Sequence, residues 1–450
     1  MKRGTMAALV VMALGGSAWA TFRGVTGMPV DRLVENLGQR IAEHPKDAHL
    51  QYLLGRVHSY AFALNSRLVP ALDKGDGDIY VQNPPEAERF LARSESWEKN
   101  LAQAAEKGTA SDETKAELAE RRALSAQGQF SETERLAHLV GGVQGHLRAL
   151  ALDPAPPEYH LGLAYVLEQG AADAPKLAED PMAYASTEPA VGDEPMPLPQ
   201  TRVAAWLERA EAESMRAFEL TAQSDLDLGR QPFGESGLRD AMSYEAALSV
   251  LRLMQGRPAK KGDAELAARM NAHMKAVSDL PEPRMVTPIV FSLAGARSLD
   301  ALLCDRTAVF DLDGDGRAEP WPWLQPDTAL LVWDPDHTGT ITSGLQLFGS
   351  VTWWLFPRDG YQALDLLDDD GDGWLSGAEL SGLGIWQDRN GDGVSASGEV
   401  TPIDDTGIVA LSTRATGSAG RSLVSEHGLR LRDGRQLPTY DWVTTPAVEP

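Results

Sequence analysis

Cysteine and positive charge are scarce in this sequence. The 450-residue chain has one cysteine, Cys304, which excludes a disulfide framework and any cysteine-based zinc cluster. Its 41 basic side chains stand against 65 acidic ones, for a formal net charge of −24. Nucleic acids and anionic membranes bind basic surfaces, so neither is expected as a partner. No stretch of the sequence is apolar and long enough to predict a membrane span.

Acidity and tryptophan are concentrated in the last third of the chain. Residues 299–450 contain 25 acidic side chains, nine arginines, no lysine and eight of the eleven tryptophans. This shift in composition, together with Leu280-Pro281-Glu282-Pro283, predicts a domain boundary near residue 280. We expect a signal peptide over 1–20, a helical domain over 21–279, a linker and first strand over 280–298, and a second domain over 299–450.

The amino terminus has the features of a secretory signal peptide. Lys2 and Arg3 precede the apolar segment Met6–Leu14. Ala18-Trp19-Ala20 then places small residues where a signal peptidase cleaves. A membrane anchor is the alternative, but the apolar segment is far shorter than the ~20 residues needed to span a bilayer. We expect cleavage before Thr21 and a periplasmic or extracellular protein.

Helical periodicity extends from Val30 to about Ser278. Apolar residues between Leu136 and Leu150 recur on one helical face, and Asp153-Pro154 ends that helix because proline disfavours helix in the residue before it. Leu53-Leu54-Gly55 and Leu161-Gly162 each follow a proline, a pattern that loosely resembles tetratricopeptide repeats. The resemblance implies an all-α array of helical pairs that binds a protein partner. An ordinary helical bundle is the alternative.

The strongest chemical pattern is a twelve-residue acidic loop that begins at Asp368. Asp368, Asp370 and Asp372 offer side-chain oxygens at its first, third and fifth positions. A glycine at the sixth position permits a sharp turn, Trp374 at the seventh offers its carbonyl, and Glu379 at the twelfth offers two oxygens. This is the ligand spacing of an EF-hand calcium loop, because calcium needs six to eight oxygens gathered by a tight turn.

A second complete loop of this type begins 20 residues later. Asp388, Asn390 and Asp392 take its first, third and fifth positions, Val394 offers the carbonyl, and Glu399 closes the loop. A solvated acidic turn is the alternative for either loop alone. Two complete matches in tandem favour calcium as the ligand.

The short spacing between the loops limits what can connect them. Only eight residues separate Glu379 from Asp388, with apolar Leu380, Leu383 and Trp386 among them. Two turns of helix would place these three on one face, which predicts a loop–helix–loop arrangement as in dockerin-type modules. We therefore expect structural rather than signalling calcium.

Two incomplete loops precede the complete ones. The first begins at Asp311 and has Pro322 at its twelfth position. The second begins at Asp334 and has Leu345 at its twelfth position, followed by Gln346. They are weaker calcium candidates because the closing carboxylate is missing. Their candidate ligands are Asp311, Asp313, Asp315, Asp334, Asp336 and Thr338.

Other segments accompany the loops in a fixed order. They are Pro288-Ile-Val-Phe, Ala308-Val-Phe-Asp-Leu-Asp-Gly-Asp-Gly, Leu330-Leu-Val-Trp-Asp, Leu347-Phe-Gly, Gly384-Ile-Trp-Gln-Asp-Arg-Asn-Gly-Asp-Gly and Gly407-Ile. This order resembles the calcium-binding module of bacterial RTX-type exoproteins over roughly residues 285–445. The resemblance implies a compact α+β module with short strands and several calcium sites. The sequence departs from that family at Ser292, at Thr328-Ala329, and at Gln346, where the family has glutamate.

The sequence predicts a non-enzymatic calcium-binding protein, and three other activities are alternatives. Some relatives of the module cleave themselves at an Asp-Pro bond, but Cys304-Asp305-Arg306 has no proline. Asp311-Leu312-Asp313 resembles the first motif of haloacid-dehalogenase-type phosphatases, yet no lysine follows residue 299 to neutralise a phosphoryl group. Exposed tryptophans would suit a glycan-binding surface, whereas buried ones would form the core. The tryptophans concerned are Trp321, Trp323, Trp333, Trp353 and Trp354.

Overall fold

The computed structural model describes residues 26–71, 129–178, 180–183, 202–228, 242–278, 285–295, 297–314 and 318–447. The predicted signal peptide and residues 279–284 of the predicted boundary lie outside these ranges. Within them, no helix is both long and apolar enough to cross a membrane.

Helices make up most of the described N-terminal region, as predicted. Ser131 and Glu134 form a reciprocal capping box at the start of the helix Glu132–Leu152. The C-cap of this helix is Asp153, the residue before Pro154, as the sequence indicates. The helices are α1 (Val30–Glu43), α2 (Ala48–Leu64), α3 (Glu132–Leu152), α4 (Pro157–Gly170), α5 (Arg202–Leu228), α6 (Met242–Gln255), α7 (Asp263–Ser278) and, in the C-terminal region, α8 (Gly360–Asp365).

Strands are the main regular secondary structure of the C-terminal region, and two short strands also lie among the N-terminal helices. The strands are β1 (Thr26–Pro29), β2 (Leu68–Ala71), β3 (Ile289–Ser292), β4 (Leu303–Phe310), β5 (Glu319–Leu324), β6 (Thr328–Trp333), β7 (Trp374–Ser376), β8 (Leu383–Trp386), β9 (Val400–Pro402), β10 (Ile408–Ser412), β11 (Gly417–Ala419), β12 (Ser422–Leu431) and β13 (Gln436–Asp441). The pairing of β1 with β2 departs from the all-α expectation for the N-terminal region.

An antiparallel sheet organises the C-terminal region. Its strands are hydrogen-bonded in the order β7-β10-β12-β13-β3-β6-β8-β9, and β11 pairs with β12. The hairpin β4–β5 forms a separate two-stranded sheet. The centre of the large sheet is therefore built from β3 and its neighbours, and its two edges are β7 and β9.

The large sheet has a hydrophobic core on each face. Ile289 and Phe291 of β3 belong to one core, and Val290 between them belongs to the other. This alternation follows from the two-residue period of a strand. The second core contains Trp321 and Trp323 of the β4–β5 hairpin, so the hairpin covers that face.

The helices α1 and α2 cover the opposite face. Leu33 and Leu37 of α1 and Leu53 of α2 are buried in the same core as Phe291 and Leu331 of the sheet. Helices α1 and α2 and the C-terminal sheet consequently share one continuous core, although about 220 or more residues separate them in the chain.

The helix predicted between the two complete acidic loops is wrong. The structure has a 3₁₀ turn over Gly377–Leu380 followed by the strand β8. All of β8 is buried between β6 and β9, and a strand buried on both faces is continuously apolar, which hides its period. Leu383 packs in one core and Trp386 in the other, so they do not share a helical face.

Candidate metal centre

The first complete acidic loop, here called loop 1 (residues 368–379), begins just after α8. Asp368 is buried, and its carboxylate accepts two hydrogen bonds from inside the loop. Oδ1 accepts from the N–H of Gly371 at 2.8 Å, and Oδ2 accepts from the N–H of Gly373 at 2.9 Å. Both glycines have positive φ, 77° and 87°, a conformation that glycine adopts without steric cost. Local sequence therefore fixes the turn around Asp368.

Glu379 joins the start and the end of loop 1. Its Oε1 accepts from the N–H of Asp369 at 2.7 Å, and its Oε2 accepts from the N–H of Ser376 at 2.8 Å. The side chain is buried. The Glu379 carboxylate, which was predicted to close the loop, therefore contacts the backbone at both its start and its end.

The second complete loop, loop 2 (residues 388–399), repeats the hydrogen bonds of the first carboxylate. Asp388 Oδ1 accepts from Gly391 N–H at 2.8 Å, and Oδ2 accepts from Gly393 N–H at 2.8 Å. These donors hold the same fourth and sixth positions as in loop 1. Asp388 is also buried.

The closing glutamate of loop 2 repeats the contacts seen in loop 1 as well. Glu399 Oε1 accepts from Arg389 N–H at 2.9 Å, and Oε2 accepts from Ala396 N–H at 3.0 Å. The second and ninth positions donate in both loops. The two loops thus have the same backbone arrangement, although only the spacing of their acidic and glycine residues is shared in the sequence.

The predicted ligands of loop 1 lie close together. Asp368, Asp370 and Asp372 can each place one carboxylate oxygen so that all three lie within 4.8 Å of one another. Carboxylates at such separations repel unless a cation or hydrogen-bond donors compensate them. The donor set consists of hard oxygens, which suits calcium or magnesium. The three carboxylates therefore provide the kind of oxygen donors from which a calcium site is built.

The corresponding residues of loop 2 occupy equivalent positions. Asp392 Oδ1 accepts from the N–H of Val394 at 2.8 Å, as Asp372 Oδ1 accepts from Trp374 N–H at 2.7 Å. Asn390 replaces an aspartate at the third position, which leaves loop 2 one ligand charge poorer. Ligand charge is one of the determinants of calcium affinity, so the two loops are electrostatically different.

The two complete loops lie at opposite edges of the sheet. Loop 1 contains the edge strand β7, whose Leu375 pairs with Leu411 of β10. Loop 2 instead contacts an incomplete loop: Ile341 N–H donates to Ser395 Oγ at 2.8 Å, and Ser395 Oγ donates to the Ile341 carbonyl at 3.2 Å. Tandem position in the sequence therefore does not make loops 1 and 2 spatial partners.

The incomplete loop that contacts loop 2, here called loop 3 (residues 334–346), begins in the same way. Asp334 is buried, and its Oδ2 accepts from the N–H of Gly339 at the sixth position, at 2.9 Å. Thr338 donates both its N–H and its hydroxyl to Asp334 Oδ1, each at 2.9 Å. Asp336 is exposed. The first half of loop 3 is therefore formed with protein donors.

Gln346 closes loop 3 one residue later than the glutamates close the complete loops. Its Oε1 accepts from the N–H of Thr342, the ninth position, at 2.9 Å. Its Nε2 donates to the carbonyl oxygen of Thr340, the seventh position, at 3.1 Å. A neutral amide donor thus contacts the carbonyl that a cation would bind in a complete loop.

The other incomplete loop is interrupted by a hairpin. Asp311 follows β4 and is buried, Asp313 is half-buried, and Asp315 lies outside the described residues. Pro322, at the twelfth position, lies within β5 and pairs with Thr307. The strand β5 therefore begins before a twelve-residue loop could close. The antiparallel β4–β5 hairpin also differs from the doubly wound fold that the phosphatase alternative requires.

Loops 1 and 2 differ in the side chain that contacts the Oδ2 atom of their first aspartate. In loop 1, Arg40 Nη2 of α1 lies 3.0 Å from Asp368 Oδ2. In loop 2, the indole Nε1–H of Trp323 donates to Asp388 Oδ2 at 2.6 Å. A charged donor in one loop thus corresponds to a neutral donor in the other.

Helix α1 contacts loop 1 through three residues spaced four apart. Asn36 Nδ2 donates to the Leu366 carbonyl and to Asp369 Oδ1, each at 2.8 Å. Arg32 Nε lies 2.7 Å from the same Asp369 oxygen. Partial burial raises the pKa of Asp369, but the bonds from Arg32 and Asn36 outweigh it and lower that pKa below 3.8.

These contacts were missed by the sequence analysis. The polar residues at positions 32, 36 and 40 share one face of α1, since residues four apart are neighbours on a helix. That periodicity was available in the sequence, but it does not show which surface the face contacts.

Four of the five candidate sugar-stacking tryptophans are core residues. The side chain of Trp354 lies outside what the structure describes. Trp323 packs against Phe310 and Trp386, and Trp333 packs edge-on against Trp353. Trp321 is fully buried. These four rings are therefore not available for stacking on sugar.

The three loops lie in a part of the chain that matches a known domain family. Residues 289–443 match the family described as the SPM domain, and this range includes loops 1, 2 and 3. The iron-regulated protein FrpA of Neisseria meningitidis serogroup C is 36% identical over 109 residues, which is 23% of this chain. The chain matches only 10% of the length of that relative.

Proposed function

We propose that this chain is a secreted or periplasmic calcium-binding protein in which calcium stabilises the C-terminal module. The observation that carries the proposal is the hydrogen-bond pattern shared by loops 1 and 2. In each loop, backbone N–H groups at the same four positions orient the first and twelfth carboxylates. The spacing of oxygen donors in both loops is the one that calcium requires.

The ion would be held mainly by carboxylates, and its charge would offset their mutual repulsion. The proposed ligands of loop 1 are Asp368, Asp370, Asp372, Glu379 and the Trp374 carbonyl, and those of loop 2 are Asp388, Asn390, Asp392, Glu399 and the Val394 carbonyl. Calcium that binds only the folded loops raises the free energy of unfolding in proportion to the logarithm of its concentration. Dissociation constants of about 10⁻⁴–10⁻³ M suffice outside the cytosol.

Thermal unfolding of the mature chain tests this proposal. We expect the C-terminal module to unfold at a lower temperature in chelator than in millimolar calcium. Asp370→Asn combined with Asp392→Asn should remove most of the difference. Asp404→Asn is the matched control, because Asp404 is exposed and lies outside the loops. Equal unfolding in chelator and calcium for the unaltered chain would reject the proposal.

Fluorescence distinguishes binding at loop 1 from a general stabilisation. Trp374 is half-buried, and the guanidinium carbon of Arg430 lies 3.5 Å from its ring centroid. Calcium should change the emission of the unaltered chain, and Trp374→Phe should remove most of that change. A calcium response that is the same in Trp374→Phe would show that loop 1 is not its source.

The proposal also includes export from the cytoplasm and a binding role for the helical region. Export predicts that the mature protein begins at Thr21, which N-terminal sequencing of the extracytoplasmic fraction measures. The helical region is proposed to bind a protein partner, as arrays of helical pairs do. Crosslinking in the native cell should then join residues 202–278 to another protein more often than residues 289–443. An even distribution of crosslinks would contradict this assignment.

A further inference from the structure

Arg40 belongs to α1, but its side chain lies within the contacts of loop 1. The side chain is 4% exposed. Its Nη2 lies 3.0 Å from Asp368 Oδ2 and donates to the Asp368 carbonyl at 3.1 Å. Its Nε lies 2.9 Å from Asp365 Oδ2. A buried guanidinium thus contacts the first proposed calcium ligand from the opposite end of the sequence.

We infer that Arg40 sets the calcium affinity of loop 1, and that the docking of α1 and the binding of calcium in loop 1 weaken each other. This inference rests on the proposed function. It assigns a role to a residue outside the 289–443 segment, 328 positions before the carboxylate it contacts. The physical basis is that two cations share one carboxylate.

Loop 2 shows that a loop of this kind does not need an arginine from α1 to form. The carboxylate of Asp388 accepts from backbone N–H groups at the same two loop positions as that of Asp368. Its Oδ2 also accepts a hydrogen bond from the indole of Trp323. Two exposed arginines lie at loop 2, Arg389 within the loop and Arg306 against Gly391, but neither forms an ion pair with Asp388 among the described contacts. The feature that distinguishes Arg40 is therefore a buried positive charge in direct contact with the first carboxylate of its loop.

The sign of the effect follows from Coulomb repulsion. A divalent ion bound by Asp368 would lie a few ångströms from the Arg40 guanidinium, in a region where burial weakens screening. Arg32, which contacts Asp369, and Arg414, which lies against Gly373, add positive charge around loop 1. Removing the charge of Arg40 alone should therefore strengthen calcium binding.

Thermodynamic reciprocity extends the inference to the helix. If docked α1 lowers the affinity of loop 1, calcium in loop 1 must lower the stability of α1 docking by the same factor. Calcium would then stabilise the module through loop 2 while loosening its attachment to α1 through loop 1.

Calorimetric titration of the mature chain with calcium chloride tests the affinity change. Loop 2 is first disabled by Asp392→Asn and Glu399→Gln, so that the remaining site is loop 1. In this background, Arg40→Met should bind calcium about tenfold more tightly, and Arg40→Lys, which keeps the charge, should stay near the parent. Arg358→Met is the matched control, because Arg358 pairs with Asp47 across the same two regions without touching loop 1. It should leave the affinity unchanged.

Hydrogen exchange of the unaltered chain tests the reciprocal effect without any substitution. Calcium should accelerate amide exchange in α1, over residues 30–43, while slowing exchange in loop 2. If Arg40→Met does not fold, Arg32→Met replaces it and should produce a smaller increase in affinity.

The outcomes separate this inference from the proposed function. Calcium binding with equal or weaker affinity in Arg40→Met, or slower exchange in α1 with calcium, would overturn the role of Arg40 and leave the calcium sites standing. The absence of any calcium binding in the parent and its variants would overturn the proposed function itself.

Discussion

Gly162 of α4 lies directly against the imidazole ring of His146 in α3. A Cβ atom at Gly162 would clash with His146 Cε1. Gly55 of α2 meets the same residue, since a Cβ atom there would lie 2.9 Å from the backbone nitrogen of His146. The glycines of the two Leu-Gly segments therefore converge on one position of α3 and let three helices approach closely.

Gly162→Ala should lower the free energy of unfolding by about 1–3 kcal/mol, because overpacking forces neighbouring atoms to shift. Gly55→Ala should cost at least as much, because it clashes with backbone. Denaturant unfolding measures both. His146→Ala should relieve the first substitution in a double-mutant cycle but not the second. Equal relief of both would contradict the assigned contacts.

The buried histidines of the helical region should make its stability depend on pH. Burial lowers the pKa of His146 to about 3, and burial with the nearby Arg358 lowers that of His49 to about 4. The unfolded chain, with a histidine pKa of 6.5, then binds more protons than the folded one. These groups therefore contribute stability that is full above pH 6.5 and is lost as the pH falls toward 4.

The pH effect is best measured as a difference between variants. Burial raises the pKa of Asp441 and Asp359, which contributes with the opposite sign. Between pH 4 and 6.5, the stability of His146→Gln should therefore rise less steeply with pH than that of the unaltered chain, as measured by denaturant unfolding in parallel. Identical slopes would mean that His146 does not resist protonation.

Gln346→Glu should make loop 3 dependent on calcium. The substitution replaces the donor facing the Thr340 carbonyl with an acceptor, which should cost about 1–3 kcal/mol in chelator. Millimolar calcium should restore part of this loss, since a cation would take the place of the amide donor. Gln346→Met is the control: it should also destabilise, without a gain in the calcium response. Thermal unfolding in chelator and in calcium distinguishes the two variants.

Asp47 should contribute to stability in two separable ways. Its Oδ1 caps α2 by accepting from His49 N–H at 2.9 Å, and its carboxylate pairs with Arg358 at 2.7 Å. Asp47→Asn keeps the cap and loses the charge, whereas Asp47→Ala loses both. The alanine variant should be less stable by about 1 kcal/mol more than the asparagine variant. Equal unfolding midpoints would show that the cap does not contribute.

The structural features that depend on neighbouring residues in the sequence were predictable. The end of α3 at Leu152, with Asp153 as its C-cap, follows from Pro154, which disfavours helix in the residue before it. The turns of loops 1 and 2 follow from acidic residues and glycines within twelve positions of one another. The helix predicted between the loops was wrong because a fully buried strand such as β8 has no visible alternation of polar and apolar residues.

The amino-acid sequence by itself determined the helical character of the N-terminal region, the local form of the two complete loops, and the oxygen donors they offer, because each depends on neighbours within a few turns of chain. Only the tertiary structure decided which face of the sheet α1 covers, why Arg40 contacts Asp368 while Trp323 contacts Asp388, and that Gln346 closes loop 3 with an amide. These relationships depend on surfaces brought together by burial of a shared core, and burial of apolar area does not specify its partner from sequence.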